Sequence, residues 1–111
     1  MGNQKLYKGS LSTIILKLLG EHDKMYGYEI TQKVKELTKS ELKITEGALY
    51  PALHKLEAEG LLDVEVLKVD NRLRKYYKLT EKGTKETTSK LLELENYLKT
   101  MQTFLNPKLS I

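Results

Sequence analysis

Residues 44–56 (ITEGALYPALHKL) carry side chains suited to contact with another molecule. Their apolar residues repeat with helical spacing, and a projection at about 100° per residue predicts a buried side formed by Ala48, Leu49, Ala52, Leu53 and Leu56. The opposite side carries Gly47, Tyr50, Pro51, His54 and Ala58, with Glu46 and Lys55 at its flanks. This outward face is small and nearly uncharged, and it can form hydrogen bonds through Tyr50 and His54. Such a face fits close approach of a partner better than simple solvation.

Pro51 is a difficulty for a helix in this segment. An interior proline removes one backbone hydrogen bond and crowds the carbonyl four residues back, here that of Gly47, at a cost of about 3 kcal/mol. One interpretation is that the flexible Gly47 lets the first turn adjust to the proline ring. The other is that the helix starts later, nearer Gly47, so that Pro51 falls close to its first turn. The sequence alone leaves both open.

A second candidate binding feature is a cluster of positive charge. Between residues 68 and 78, five basic residues face only Asp70, a local charge of +4 in a chain whose net charge is also +4. The five are Lys68, Arg72, Arg74, Lys75 and Lys78. A basic stripe on an otherwise balanced protein is typical of proteins that bind a polyanion, although a solvated hairpin would carry the same charges.

The 111 residues show no pattern typical of a metal site, an enzyme active site or a membrane span. The chain has no cysteine, which excludes disulfides and thiolate metal sites and favours an intracellular protein. Its two histidines, His22 and His54, are far apart in sequence, and no nucleophile or phosphate loop accompanies them. We therefore expect no metal, no cofactor and no enzymatic activity. No segment approaches the roughly 20 apolar residues of a membrane span.

Four helices and one hairpin are predicted to position these residues. The first helix starts at Ser10 as N-cap, ends at Gly20, and buries Leu11, Ile14, Ile15, Leu18 and Leu19. The second covers about residues 26–38, with Ile30, Val34 and Leu37 facing inward. The third is capped by Thr45 and ends near Glu59 and Gly60.

A hairpin and a long helix complete the predicted elements. Alternation of Leu62, Val64 and Val66 indicates a strand, Asp70 and Asn71 suit the turn, and the return strand carries Leu73, Lys75, Tyr77 and Leu79 on one face. Thr80 caps the last helix. Its apolar residues step by three and four along a heptad seam, Leu91, Leu94, Leu98, Met101 and Leu105. Because the preceding unit already has a core, we expect this seam to pack on a second chain.

The order of these elements is that of a winged helix. We predict a mainly α fold with a small β-hairpin: a winged helix-turn-helix domain over residues 1–79 and a dimerisation helix over residues 80–111, in one compact unit. In that design the third helix enters the DNA major groove and the hairpin, or wing, reaches phosphates or the minor groove. A low-relief face and a positive wing thus point to one ligand, double-stranded DNA. The alternative is a protein-interaction module whose basic wing only aids solubility.

Four segments resemble the PadR family of bacterial transcriptional regulators, in the same order and at similar spacing. They are GSLSTIILKLL, YGYEI, EGALYPALHKLEAEGLL and RKYYKLTEKG, between residues 9 and 83. The resemblance implies a homodimeric, cytoplasmic and nucleoid-associated repressor that binds a palindromic operator and pairs its subunits through the last helix. By position in the motifs, Gly47, Tyr50, Pro51 and His54 would lie on the recognition helix, Arg74 and Lys75 at the basic end of the wing, and Tyr26, Gly27 and Tyr28 at the start of the second helix. We also expect Lys55 of the recognition helix and Arg72 of the wing to contact DNA.

Two features separate this chain from the family pattern. Where relatives commonly have glycines and a double arginine, the wing reads Asn71-Arg72-Leu73-Arg74, so its arginines are shifted. Family members also often release DNA when a small-molecule effector binds near the dimer interface. This chain has no tryptophan, and Tyr97 and Phe104 of the last helix are interpreted as packing residues rather than as an effector platform.

Overall fold

The computed structural model describes residues 7–106. A short 3₁₀ helix (Tyr7–Ser10) leads into α1 (Leu11–Glu21), β1 (Met25–Tyr26), α2 (Gly27–Leu37), α3 (Glu46–Ala58), β2 (Leu62–Val69), β3 (Arg72–Leu79) and α4 (Glu81–Leu105). The four predicted helices and the hairpin are confirmed, in the predicted order. Strand β1 was not predicted, because its two residues are too few to show an alternating pattern. The predicted ranges at residues 1–6 and 107–111 lie outside the described residues.

Helix starts follow the predicted caps at two of three positions. The Thr45 hydroxyl accepts a hydrogen bond from the Ala48 amide (3.2 Å), and the Thr80 hydroxyl accepts one from the Gly83 amide (2.9 Å). Ser10 precedes α1, but its hydroxyl donates backward to the Tyr7 carbonyl (3.1 Å), so its predicted role as a side-chain cap is wrong. The 3₁₀ turn places the Tyr7 carbonyl within hydrogen-bonding distance of the Ser10 hydroxyl, so the hydroxyl bonds to it instead of to the start of α1.

Pro51 lies inside α3, so the later helix start is wrong. The helix begins at Glu46, the Thr45 carbonyl accepts the Leu49 amide (2.9 Å), and Pro51 is the sixth residue. The proline therefore leaves the Gly47 carbonyl without its helical donor. A Cβ added at Gly47 would meet only the Thr45 hydroxyl oxygen, at 3.9 Å. The folded protein itself thus has room for a side chain at this position.

The strands form an antiparallel sheet with β3 in the centre, between β1 and β2. Leu62 pairs with Leu79 and Val64 with Tyr77 across the hairpin, while Met25 of β1 pairs with Tyr77 from the other side. Asp70 and Asn71 have φ angles of 50° and 64°, which is the two-residue turn that suits a twisted hairpin. The predicted turn is confirmed.

The core lies where α1, α2 and α3 meet the base of the sheet. Its most deeply buried side chains are Ile15, Leu16, Ile30, Leu49, Leu53, Leu56, Leu62 and Tyr77. Leu16 was missed as a core residue, and Ile14 is only partly buried. The prediction that Leu37 is buried is wrong, because it is 63% exposed at the end of α2.

The hairpin leaves the core as it extends. Leu62 is buried and Val64 is partly buried, but Val66 is 51% exposed and Leu73 is 77% exposed. The predicted inward placement of Val66 and Leu73 is therefore wrong. Both residues lie in the distal half of the hairpin, beyond the helices that cover its base.

Candidate nucleic-acid interface

Helix α3 separates its two faces as its sequence predicts. Leu49, Leu53 and Leu56 are buried, and the predicted recognition residues Gly47, Tyr50, Pro51, His54 and Lys55 are all exposed on the other side. Tyr50 is 37% exposed. Thr45 fixes the start of this helix, and the three buried leucines fix its rotation about its axis. The orientation of the outward face is therefore set by the buried side of the helix.

A cleft of about 320 Å³ lies between this face, the start of α2 and strand β3. It is lined by Tyr26, Gly27, Tyr50, His54, Leu73, Arg74, Lys75 and Tyr77. The structure thus brings together residues predicted separately for the recognition helix, the YGY segment and the wing. Sequence reasoning missed Leu73 and Tyr77 as cleft residues, because it assigned both to the buried face of the hairpin.

Five predicted DNA-contacting residues do not line this cleft: Gly47, Pro51, Lys55, Tyr28 and Arg72. Tyr28 is 63% exposed on α2, and Arg72 is exposed at the tip of the hairpin, where it pairs with Val69. Lys55 is exposed on α3. Tyr28, Arg72 and Lys55 are each adjacent in sequence to a residue that lines the cleft.

Arg74 is held against an aromatic pair. Its guanidinium carbon lies 4.1 Å from the ring centre of Tyr26, and Tyr26 meets Tyr76 edge to face, with ring centres 5.4 Å apart. On the far side, Lys24 Nζ lies 5.7 Å from the Tyr76 ring centre and 3.2 Å from a carboxylate oxygen of Glu65. Cation–π contacts of this kind contribute about 0.5–1 kcal/mol at exposed sites. They place the charge of Arg74 at a fixed position on the edge of the cleft.

Sequence reasoning missed this aromatic cluster for a specific reason. Glu65 and Tyr76 are partners in the predicted hairpin, but Tyr26 and the neighbouring Lys24 reach them through the pairing of β1 with β3, which places Tyr26 opposite Tyr76. A strand of two residues leaves no periodic signal. Once the pairing is known, the alternation along β3 explains why Arg74 and Tyr76 share a face.

The cleft also shifts ionisation equilibria. Burial raises the pKa of Tyr77, and the nearby Glu57 carboxylate and Tyr50 raise it further. The Tyr76 side chain raises the pKa of Arg74, which keeps the guanidinium positive. The cleft therefore carries a permanent cation at its edge, which suits a phosphate oxygen, while the Tyr77 phenol stays neutral in the core below.

Helix α4 exposes an unusual amount of apolar surface. Its first turns pack on the rest of the chain: Gly83 lies against the Leu61 backbone, and Thr87 is buried. Among the predicted seam residues, Leu91, Leu94 and Met101 are partly buried, whereas Leu98 is 53% and Leu105 is 74% exposed. Leu92, Tyr97 and Phe104 are exposed as well. The second half of α4 thus leaves much of its apolar surface uncovered by residues 7–106.

An apolar groove of about 440 Å³ runs beside this helix, between α1, α2 and α4. Leu37 lies on its wall together with Ile14, Leu18, Val34, Leu42, Leu91 and Leu94. This explains the exposure of Leu37: the residue does face inward, but nothing in the described part of the chain fills the space in front of it.

The structure offers no alternative centre of metal chemistry within residues 7–106, where no three His, Asp or Glu side chains are grouped to hold an ion. Over the same residues, no helix is both long and apolar enough to cross a membrane.

Comparison with known proteins assigns the chain to a family. Residues 15–89 match the family described as the transcriptional regulator PadR-like family, and this stretch includes α2, α3 and the whole hairpin. The chain belongs to the PadR family. PadR proteins are transcriptional regulators, so this protein is a regulator and not an enzyme, as expected from its sequence.

Two individual proteins match much of the chain. The chain is 36% identical over 84 residues to a protein of Lysinibacillus sphaericus, covering 75% of this chain and 76% of that one. It is 38% identical over 73 residues to a transcriptional regulator of Mycobacterium tuberculosis, covering 66% and 65% of the two chains.

Solved structures confirm the fold. A transcriptional regulator from Clostridium thermocellum has a TM-score of 0.85 at 32% identity, with 93% of this chain and 100% of that chain covered. A PadR family regulator from Clostridium difficile has a TM-score of 0.74 at 31% identity, with 87% and 99% covered. The predicted winged-helix class is therefore confirmed over almost the whole chain.

Proposed function

We propose that this PadR regulator binds operator DNA as a homodimer and represses transcription. The observation that carries the proposal is the shared cleft: Tyr50 and His54 of α3 and Arg74 and Lys75 of β3 line one depression. The helix that enters the major groove and the wing that binds phosphates must contact the same duplex. Their DNA-binding surfaces must therefore face the same side of the protein. The cleft supports that geometry.

Each part of the surface has a distinct task in this proposal. The exposed side of α3 enters the major groove, where Tyr50, His54 and Lys55 reach base edges and Gly47 and Pro51 allow close approach. Arg72, Arg74 and Lys75 of the wing bind phosphates, together with Tyr26, Gly27 and Tyr28 at the start of α2. Phosphate contacts set the position and orientation of the protein, and base contacts supply sequence preference.

The second copy is proposed to pack on α4. Leu98 and Leu105 of the heptad seam are more than half exposed, and the apolar groove lined by Leu37 and Leu94 is unfilled by the described chain. In this division, residues 1–79 bind DNA and residues 80–111 pair the subunits. A two-fold dimer requires a palindromic operator, with half-site centres about 34 Å, or a multiple of that, apart. A regulator acting on bacterial DNA would work in the cytoplasm, associated with the nucleoid.

One experiment tests class and operator together. The purified protein is used to select duplexes from a random pool, the selected duplexes are sequenced, and binding is then measured over a range of salt concentrations. We expect an enriched palindrome and an affinity that falls steeply with salt, because each neutralised phosphate releases counterions. Failure to retard any duplex, together with salt-insensitive capture of a protein partner, would replace the proposal with the interaction-module alternative.

A further inference from the structure

Gly27 is a glycine for reasons of space, not of backbone conformation. It is the first residue of α2, it is buried, and its φ angle is not positive, unlike that of Gly60. A Cβ built on Gly27 would overlap the Tyr50 hydroxyl and would lie 2.8 Å from Cζ and 3.1 Å from Cε1 of that ring. Side-chain carbons do not approach atoms so closely. The Tyr50 phenol therefore occupies the space that any other residue at position 27 would need.

Tyr50 is correspondingly restrained. It projects from the outward face of α3, yet only 37% of it is exposed, and it lines the cleft beside Tyr77. A tyrosine has only two side-chain torsions, so contact of its far end with the first turn of α2 fixes both. A side chain whose rotamer is held by its neighbours loses little entropy when it binds a ligand.

We propose that Gly27 is a positioning residue for sequence reading: its missing side chain seats the Tyr50 ring across the start of α2, so that Tyr50 meets DNA in one orientation. The inference rests on the proposed DNA-binding function. It assigns Gly27 a role apart from its expected contact with phosphate. It also makes the start of α2 and the recognition helix a single unit, because the ring spans the two.

The predicted effect of Gly27→Ala follows from which atoms must move. The nearest atoms are at the free end of a side chain, not in the backbone, so the ring can swing outward while α2 and α3 keep their places. The substitution should leave a folded protein with a displaced Tyr50. Gly9→Ala is the matched control, since a Cβ at Gly9 meets no atom of residues 7–106 within 4 Å.

A double-mutant cycle tests the inference. The parent, Gly27→Ala, Tyr50→Ala and the double variant are compared for affinity to a selected operator and to random duplex. We expect Gly27→Ala to lower operator affinity about tenfold and to reduce the ratio of operator to random binding. In the Tyr50→Ala background the same change should alter operator affinity by about twofold or less, because no ring remains to be displaced. Tyr50→Phe, which lacks the hydroxyl, should give an intermediate effect.

The outcomes separate this inference from the proposed function. If the parent binds no duplex, the proposed function fails, and the inference fails with it. If the parent binds and the effects of the two substitutions simply add, Gly27 does not act through Tyr50 and only the inference is overturned. A second readout needs no DNA: in NMR spectra, Gly27→Ala should shift the Tyr50 ring resonances, whereas Gly9→Ala should not. Unchanged ring resonances in a folded Gly27→Ala protein would also overturn the inference.

Discussion

Arg74 and Tyr26 are in cation–π contact, with the guanidinium carbon 4.1 Å from the ring centre. Tyr26 also precedes α2, and its backbone amide donates a hydrogen bond to the Glu29 carboxylate (3.1 Å). Tyr26 therefore both stabilises the start of α2 and holds Arg74 of the wing in place. The wing charge is fixed relative to the helix-turn-helix, not only relative to its own hairpin.

Arg74→Ala should weaken binding to operator and random duplex by a similar factor. The guanidinium is proposed to neutralise one phosphate, so the slope of log affinity against log salt concentration should fall by about one. Titrations at several salt concentrations measure it. Lys85→Ala is the control, because Lys85 is highly exposed on α4 and pairs only with Glu81. A salt slope equal to that of the parent would exclude Arg74 from the phosphate contacts.

Two substitutions should separate the contributions of the Tyr26 ring and the Tyr26 hydroxyl to DNA affinity. Tyr26→Phe keeps an aromatic face under Arg74 and should retain most DNA affinity, whereas Tyr26→Leu removes the face and should lose affinity, by a factor of a few for a contact of about 0.5–1 kcal/mol. Affinity measurements at low salt compare the two. Equal loss in both variants would instead identify the hydroxyl as the functional group.

Gly47→Ala should affect thermal stability and operator affinity differently. Only the Thr45 hydroxyl oxygen lies within 4 Å of a Cβ at this position, at 3.9 Å, and alanine favours helix by at most about 1 kcal/mol over glycine. We expect thermal stability to stay equal or to rise, while operator affinity falls because the methyl group obstructs the DNA. Unfolding curves and operator titrations on one preparation measure both. Parent-like operator affinity would place DNA away from the first turn of α3.

Leu98→Glu should separate the subunits. Leu98 is 53% exposed in the single chain, and a charge at the centre of an apolar seam would have to be buried without a partner. We expect a monomer by sedimentation and the loss of tight operator binding, since each half-site would then be bound independently. Asn96→Glu, at an exposed position outside the seam, should stay dimeric. A dimeric Leu98→Glu protein would remove the seam from the interface.

Tyr77 should make stability depend on pH in the alkaline range. Burial raises its pKa in the folded state, whereas an unfolded tyrosine ionises near pH 10. Above that pH the folded state retains a proton that the unfolded state loses, so the free energy of unfolding falls as pH rises. Tyr77→Phe should show a smaller fall between about pH 8 and about pH 10.5 in urea unfolding. Identical falls in parent and variant would contradict the assignment.

The elements that the sequence predicted well are those fixed by local chemistry. Thr45 and Thr80 cap their helices, and Asp70 and Asn71 adopt the positive φ angles of the turn, because those preferences act over a few residues. The faces of α3 followed from periodicity alone. The winged-helix order then placed Tyr50 and Arg74 in one region before any distance was known.

The sequence-based predictions were wrong or incomplete where contacts between distant parts of the chain determine the burial of a residue. Leu37 and Leu73 have the spacing of buried residues, yet Leu37 faces an apolar groove that the described residues leave unfilled, and Leu73 lies on the distal hairpin beyond the helices. The contact of Tyr50 with Gly27 joins residues 23 positions apart, and the position of the Arg74 side chain depends on a two-residue strand. No periodic pattern encodes either contact, so only the folded arrangement of α2, α3 and β3 reveals them.

The order of strands in the sheet has a further consequence. β1 pairs only with Tyr76 and Tyr77, so both long edges of the distal hairpin present unpaired backbone donors and acceptors. Such edges invite other chains to add strands and aggregate, and proteins commonly protect them with charged side chains. Lys68, Arg72 and Lys75 are exposed along these edges. We therefore expect these exposed charges also to disfavour the pairing of one hairpin with another while no DNA is bound.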